Sequence, residues 1–245
     1  MTERMKRPGG RADRAVRETD RHAGGTDGQD RGERVRNEQA RDGRAWGGKA
    51  DGRARDDGRL YWREMASPLG TLTLVASERG LCSVDFAAFA EAADQLAEWA
   101  RRWWREPVLI PAPEGHPLLA EAQSQLDAYF RGELRNFSIP LDLRGTAFQR
   151  KVWKALCRVP YGSTASYGEI AAAVGRPGAA RAVGGANNRN PVPIIVPCHR
   201  IIGADGSLVG YGGGLWIKER LLALEGILQI PSARSPAGKP DAAGA

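Results

Sequence analysis

Between Met1 and Arg59 only five residues offer a large apolar or sulfur-bearing side chain: Met1, Met5, Val16, Val35 and Trp46. The same stretch holds 11 Gly, 16 Lys and Arg, and 12 Asp and Glu. A segment so poor in apolar surface cannot offset the entropy of ordering itself. Residues 1–59 are therefore expected to form a disordered basic leader, and the fold is confined to the chain from Leu60 onward. About 180 residues remain, ample for a core. A second disordered stretch is expected over residues 229–245.

Net charge is +7 over 245 residues. No stretch approaches the roughly 18 apolar residues that a bilayer span requires. The N-terminus places Arg and Asp where a secretion signal needs an apolar run. Cys82, Cys157 and Cys198 are odd in number and far apart, which argues against a disulfide framework and for a reducing, cytoplasmic location. No two have zinc-ligand spacing, and His22, His116 and His199 do not cluster, so no structural metal is expected.

From Leu60 the pattern is that of a globular α+β chain. Thr71–Val75 alternates and is rich in β-formers; Leu81–Phe86 reads as its hairpin partner across Glu78-Arg79-Gly80. Phe89–Trp104 has helical spacing, and its Trp99, Trp103 and Trp104 read as core packing rather than a stacking platform. Pro107 to Pro117, with four prolines, reads as a linker. Leu118–Phe130 predicts a second helix, stopped at Arg131-Gly132. Phe137–Leu143 predicts a short edge strand, because Pro140 cannot donate to a ladder. No chemistry is visible in this half, 60–143.

The second half opens near Gly145. Phe148–Cys157 predicts a helix and Val159–Ser163 a turn. Ser166 to Glu169 resembles a capping box ahead of the short helix Ile170–Val174. Gly175-Arg176-Pro177 breaks it, and Ala179–Ala186 predicts a further helix, giving a helix-turn-helix. That last helix is unusual. It holds adjacent glycines, Gly184 and Gly185, and Arg181 is its one charged residue. A helix that reads the major groove normally carries longer polar side chains. Small residues suit close approach to a minor groove, with Arg181 filling the gap left by an extruded base. They equally suit packing on a neighbouring helix with Arg181 in solvent.

The stretch Asn190-Pro-Val-Pro-Ile-Ile-Val-Pro-Cys-His-Arg200 carries the chemistry. Three prolines force an extended course, and Ile194–Val196 reads as a short buried β run. Cys198 follows it in a sheltered position, and its thiol needs activation to become the nucleophilic thiolate. His199 is adjacent, but neighbours in an extended chain point to opposite faces, so a bridging water suits the pair. A His base needs an orienting carboxylate. Glu225 lies in the last turn of the helix Leu215–Glu225, where its charge opposes the macrodipole. It reads either as a partner of His199 or as a solvated helix-end residue.

Asn190–Arg200 closely resembles the active-site signature of the O6-alkylguanine-DNA alkyltransferases, the methylated-DNA–protein-cysteine methyltransferase family. The resemblance extends to Ser166-Tyr167, Ala180–Ala186, Gly210–Leu215, Lys218-Glu219 and Leu221–Gly226, in the same order and with similar spacing. It is strong over 146–228 and weak over 60–143. It implies a small RNase H-like α/β domain over 60–143, then a mainly helical, winged-helix-like domain over 146–228 containing the helix-turn-helix. It implies a single-turnover DNA repair enzyme that moves an alkyl group from O6-alkylguanine in duplex DNA to its own Cys198, with O4-alkylthymine as a further candidate substrate. His199 and Glu225 would activate Cys198 through a water, and Asn190 would fix the turn before it. Tyr167 would rotate the nucleotide and hydrogen-bond the guanine. Arg181 would enter the stack, with Ala180, Ala182, Gly184 and Arg200 also at the DNA. Pro193 and Tyr211 would wall the base pocket. No cofactor or metal is implied: residues 60–143 hold only Cys82 and His116 where some members bind zinc. The expected partner is DNA, met by a monomer through the minor groove, with no membrane involved. The 59-residue leader has no family counterpart; it reads as a basic tail or as an upstream start, with Met65 as an internal one. Two rival readings are weighed against this one. A non-catalytic lesion-binding protein would carry another residue at the position of Cys198, and a transcription regulator would carry a base-reading helix at Ala179–Ala186.

Overall fold

The computed structural model describes residues 58–229. Residues 1–57 and 230–245, which hold nearly all of the expected leader and tail, lie outside that range. A four-stranded sheet forms first, from β1 (Arg59–Ser67), β2 (Gly70–Ser77), β3 (Gly80–Asp85) and β4 (Val108–Pro111) in the order β3-β2-β1-β4. The hairpin expected from alternation is β2–β3. β1 pairs antiparallel with β2, and β4 pairs parallel with β1.

Three expectations change here. β1 was not anticipated, because Arg63 and Glu64 interrupt its apolar positions. The proline-rich linker contains β4, an edge strand. Its Val108 N–H donates to the Gly58 carbonyl, and Pro111 closes the strand where no further donor is needed. Phe137–Leu143 is extended but makes only a bridge to the β3 edge. The Leu81 N–H donates to the Pro140 carbonyl, and the Asp142 N–H to the Leu81 carbonyl.

The sheet is covered on both faces. α1 (Phe89–Arg101) closes one over Leu60, Val75, Cys82, Leu96 and Trp104, with Trp99 and Trp103 packed on the rim. The three tryptophans are core packing as expected, but the helix stops at Arg101 rather than Trp104, so Trp103 and Trp104 reach the cluster from the turn that follows. α2 (Pro117–Phe130) covers the other face through Leu119, Leu126 and Tyr129. That cluster continues into the second half without a break, taking in Trp153, Leu156, Val183, Ile194 and Leu221.

The second half contains α3 (Ala147–Leu156), the β5 (Ala165–Ser166) and β6 (Ile201–Ile202) pair, α4 (Tyr167–Ala173), α5 (Ala180–Asn188) and α6 (Leu215–Leu224). The expected box at α4 forms: the Ser166 hydroxyl accepts from the Glu169 N–H, and the Glu169 carboxylate accepts from the Ser166 N–H. Thr146 and Gln149 form a second box at α3. Each such cap contributes about 1 kcal/mol. α4 and α5 are the two helices of the helix-turn-helix. Among the described residues no helix is long and apolar enough to cross a membrane.

Gly145 sets how closely the chain passes α3. A Cβ there would stand 2.5 Å from the Trp153 ring, and that ring is only 1 % exposed and cannot retreat. Gly145→Ala should therefore cost about 1–3 kcal/mol by overpacking. Thermal denaturation should show a Tm lower by roughly 2–4 °C per kcal/mol; an unchanged Tm would mean that the ring finds room.

Candidate active site

The site is assembled by the turn between α5 and β6. Asn190 organises it with one side chain. Its Oδ1 accepts from the Val192 N–H at 3.1 Å, and its Nδ2 donates to the Val196 carbonyl at 2.8 Å and to Cys198 Sγ at 3.0 Å. The segment Ile194–Val196 is buried, as expected, but it is not a strand. Val196 N–H returns to the Val192 carbonyl, and Ile194 sits at φ 73°. A β-branched residue in the left-handed region is strained by about 1–3 kcal/mol, so the surrounding packing must impose it.

Residues Cys198–Arg200 form a single 3-10 turn rather than the end of an extended run. Three residues per turn send successive side chains about 120° apart. Cys198 faces a cavity of about 370 Å³, lined also by Phe86, Asn187, Asn190, Pro193 and Tyr211. His199 and Arg200 point inward to Glu225.

Glu225 caps α6 and is 5 % exposed. Its Oε1 accepts from Tyr129 Oη and from His199 Nε2, each at 2.8 Å, and from Arg200 Nη2 at 2.9 Å. Its Oε2 accepts from Arg200 Nε at 2.9 Å and the Gly162 N–H at 3.2 Å. The structure thus brings His199 and Glu225 together. The unfavourable end of the helix dipole is outweighed by two charge-assisted contacts from one guanidinium.

Arg200 is a correction. The resemblance placed it at the DNA, but it is 6 % exposed, paired with Glu225, with Nη1 donating to the Val159 carbonyl at 2.7 Å. Its Nε, Nη1 and Nη2 are all engaged inside the fold, so the guanidinium stays with Glu225 and the Val159 carbonyl rather than at the surface.

The electrostatics follow from burial. Burial raises the Cys198 thiol, opposed by the Asn190 hydrogen bond, the Lys218 charge and the nearby Tyr211 hydroxyl, to about 11. Burial acts to raise Glu225 too, but the hydrogen bonds from His199 and Arg200 prevail and hold it down at about 2. Burial lowers His199, outweighing the pull of Glu225, so the imidazole is neutral at pH 7. An ionised carboxylate only accepts, so Nε2 carries the imidazole proton and Nδ1 keeps the lone pair. Nδ1 has no partner among the described residues and is the atom able to take a proton.

Tyr211 and Pro193 line the cavity. Tyr167 is half-buried, donates to the Val209 carbonyl at 3.1 Å, and lays its ring beside Gly184. Arg181 and Ala182 are exposed on α5, and Ala180 is half-buried. Sequence reasoning gave no role to Tyr129, and none to Lys218 beyond its place in the motif. Lys218 is fully buried, with Nζ donating to the Ile201 carbonyl at 2.5 Å and the Val209 carbonyl at 3.0 Å, and burial lowers it to about 8. A lysine between Ile217 and the Leu221-Leu222 pair was the available signal.

Comparison with known proteins settles the family. The model of the 6-O-methylguanine DNA methyltransferase DNA binding domain matches residues 147–227, and that of its ribonuclease-like domain matches residues 60–143. The chain belongs to the 6-O-methylguanine DNA methyltransferase family. A methylated-DNA–protein-cysteine methyltransferase of Mycobacterium leprae is 54% identical over 166 residues, spanning 68% of this chain and 92% of that one. One from Methanosarcina barkeri is 46% identical, spanning 68% and 97%. Among solved structures, an O6-methylguanine methyltransferase of Mycobacterium tuberculosis aligns with a TM-score of 0.57 at 45% identity, covering 71% of this chain and 96% of that one. The Mycobacterium tuberculosis OGT in complex with DNA aligns at 0.56 and 48% identity, covering 67% and 92%. These family members share with the chain an α+β fold of a small sheet domain followed by helices.

Proposed function

We propose that this protein repairs DNA by moving a methyl or larger alkyl group from O6 of guanine to Cys198, once per molecule. The observation that carries the reading is the nucleophile itself. Cys198 Sγ lies on a cavity wall, held by Asn190, with a neutral imidazole next in the chain whose one lone pair is unclaimed. The thiol proton passes to His199 Nδ1 through a water. The sulfur then attacks the alkyl carbon, the S–C bond forms as the C–O6 bond breaks, and guanine leaves with the electron pair and takes up a proton. Glu225 stabilises the transient imidazolium, and Lys218 the thiolate. The thioether has no hydrolytic route back, which makes the reaction stoichiometric. No cofactor enters, since the damaged base is the donor.

The division of labour assigned to the chain is a sheet domain over 60–143 and a DNA-binding, alkyl-accepting domain over 146–228, in a monomer working in the cytoplasm. Cys82, Cys157 and Cys198 form no disulfide with one another, which fits a reducing compartment. Ala180, Ala182 and Gly184 give α5 a low surface for the minor groove. Tyr167, half-buried at the start of α4, meets the rotated nucleotide, and Pro193 and Tyr211 wall the pocket. The test is transfer of label from O6-methylguanine DNA to Cys198, one equivalent per protein; label that never reaches the protein sinks the reading.

Arg181 is assigned the space that the extruded base leaves. Unstacking costs a few kcal/mol, and a planar guanidinium recovers part of it. Arg181→Ala should slow single-turnover repair of duplex DNA by about tenfold or more. Reaction with free O6-benzylguanine should hold within about twofold, since nothing there is flipped. An equal drop on both substrates would assign the defect to the pocket instead.

A further inference from the structure

The sheet domain carries no reactive group of its own, yet one of its side chains reaches the catalytic carboxylate. Tyr129, on α2, is fully buried, and its hydroxyl donates to Glu225 Oε1 at 2.8 Å across 96 positions of sequence. The same oxygen accepts His199 Nε2 at 2.8 Å and Arg200 Nη2 at 2.9 Å. With Arg200 Nε also reaching it at 3.2 Å, donors from three residues share an oxygen with two in-plane lone pairs, so each weakens the others. We propose that Tyr129 is a positioning residue for the alkyl transfer: its hydroxyl competes with His199 for Glu225 Oε1 and so sets how strongly that carboxylate holds the imidazole proton.

The inference rests on the alkyl-transfer reading for its consequence, but on geometry for its substance. The ring cannot swing away. It packs on Phe137 with centroids 5.4 Å apart and edge-on to Tyr161 at 6.1 Å. Burial and the Glu225 charge push the phenol far above its ordinary range, so it stays a donor at every working pH. The other titratable and charged groups facing this cluster are Tyr161 from the loop after α3, with Arg135 over its ring, Arg200 from the 3-10 turn, Tyr211 from the loop before α6, and Lys218 from α6. Arg200 supplies charge to Glu225, and Gly162 N–H occupies the other oxygen, which leaves Tyr129 as the neutral donor on the oxygen that His199 uses. A base must stay neutral at rest and still accept the thiol proton. A carboxylate left to His199 and Arg200 alone would pull harder on Nε2–H and raise the imidazole.

Two full-length variants test this: Tyr129→Phe, and 3-fluorotyrosine placed at position 129, a stronger donor of nearly the same size. The readouts are the His199 Nε2–H proton resonance at neutral pH and the acid limb of the single-turnover rate. In the Phe variant the resonance should move downfield. The acid limb should rise by about one pH unit, a roughly tenfold rate loss below it. The fluorinated variant should move both the other way. A resonance unmoved in both variants, with only a lower Tm in the Phe variant, overturns the proposal and makes Tyr129 a packing residue. Opposite resonance shifts in a protein that transfers no alkyl group would sink the alkyltransferase reading and leave the Tyr129 coupling standing.

Discussion

Cys198→Ala should abolish alkyl transfer while leaving lesion binding and stability nearly intact. Removing a catalytic nucleophile costs on the order of 10⁶ in rate. The substitution removes one sulfur from a cavity wall, so stability should change by about 1 kcal/mol or less. The other two thiols offer no substitute. Cys82 lies beneath α1 and donates to the Val75 carbonyl at 3.3 Å. Cys157 is pushed far above its ordinary range by burial. The measurement is label on protein against lesion binding by fluorescence anisotropy. Stoichiometric labelling of the variant would move the nucleophile elsewhere.

Glu225→Gln should damage both stability and chemistry. It leaves Arg200 buried beside a neutral amide, and breaking a buried ion pair from one side costs about 3–5 kcal/mol. Urea unfolding at pH 7 reads that loss directly. The amide cannot stabilise the imidazolium, and lost acid–base assistance is worth about 10²-fold or more in single-turnover rate. The pH dependence has a definite sign. Glu225 is held down at about 2 in the fold, against an ordinary 4.5. Its contribution is therefore fully present above about 4.5 and is lost as pH falls toward about 2. His199 acts in the same direction from a higher starting point. Its pKa is lowered in the fold from an ordinary 6.5, so the unfolded chain binds the extra proton as pH falls below that value. The wild type should thus lose stability on acidification in two stages, and the Gln variant should lack the lower one. Parallel curves for the two proteins would place the charge of Glu225 outside the stability balance.

The elements that were legible in the amino-acid order are those whose causes are local. The β2–β3 hairpin follows from alternation around a Gly turn. The Ser166–Glu169 cap follows from two side chains three residues apart. The helix ends at Gly132, Gly175 and Gly226 follow from backbone freedom at positive φ. β1 and β4 were not legible, because their parallel pairing joins Arg59 to Val108 and only the folded sheet brings them together. Arg63 and Glu64 blur one strand, and prolines disguise the other.

The same division holds at the site. Cys198 and His199 were readable because three prolines act within about ten residues of them, and Asn190 entered only through the family resemblance. Sequence alone also narrowed the chemistry to a thiol nucleophile with an imidazole beside it. Arg200 was assigned to the wrong surface for a reason that only three dimensions contain. The family resemblance set it at the DNA, whereas a 3-10 turn carries it into the core against Glu225. Tyr129 and Lys218 look like ordinary members of amphipathic helices until burial decides their partners. Local covalent geometry and side-chain identity determined which groups can react. Long-range packing, through desolvation and the pairing it demands, decided which of them are charged, which are neutral and which meet the sulfur.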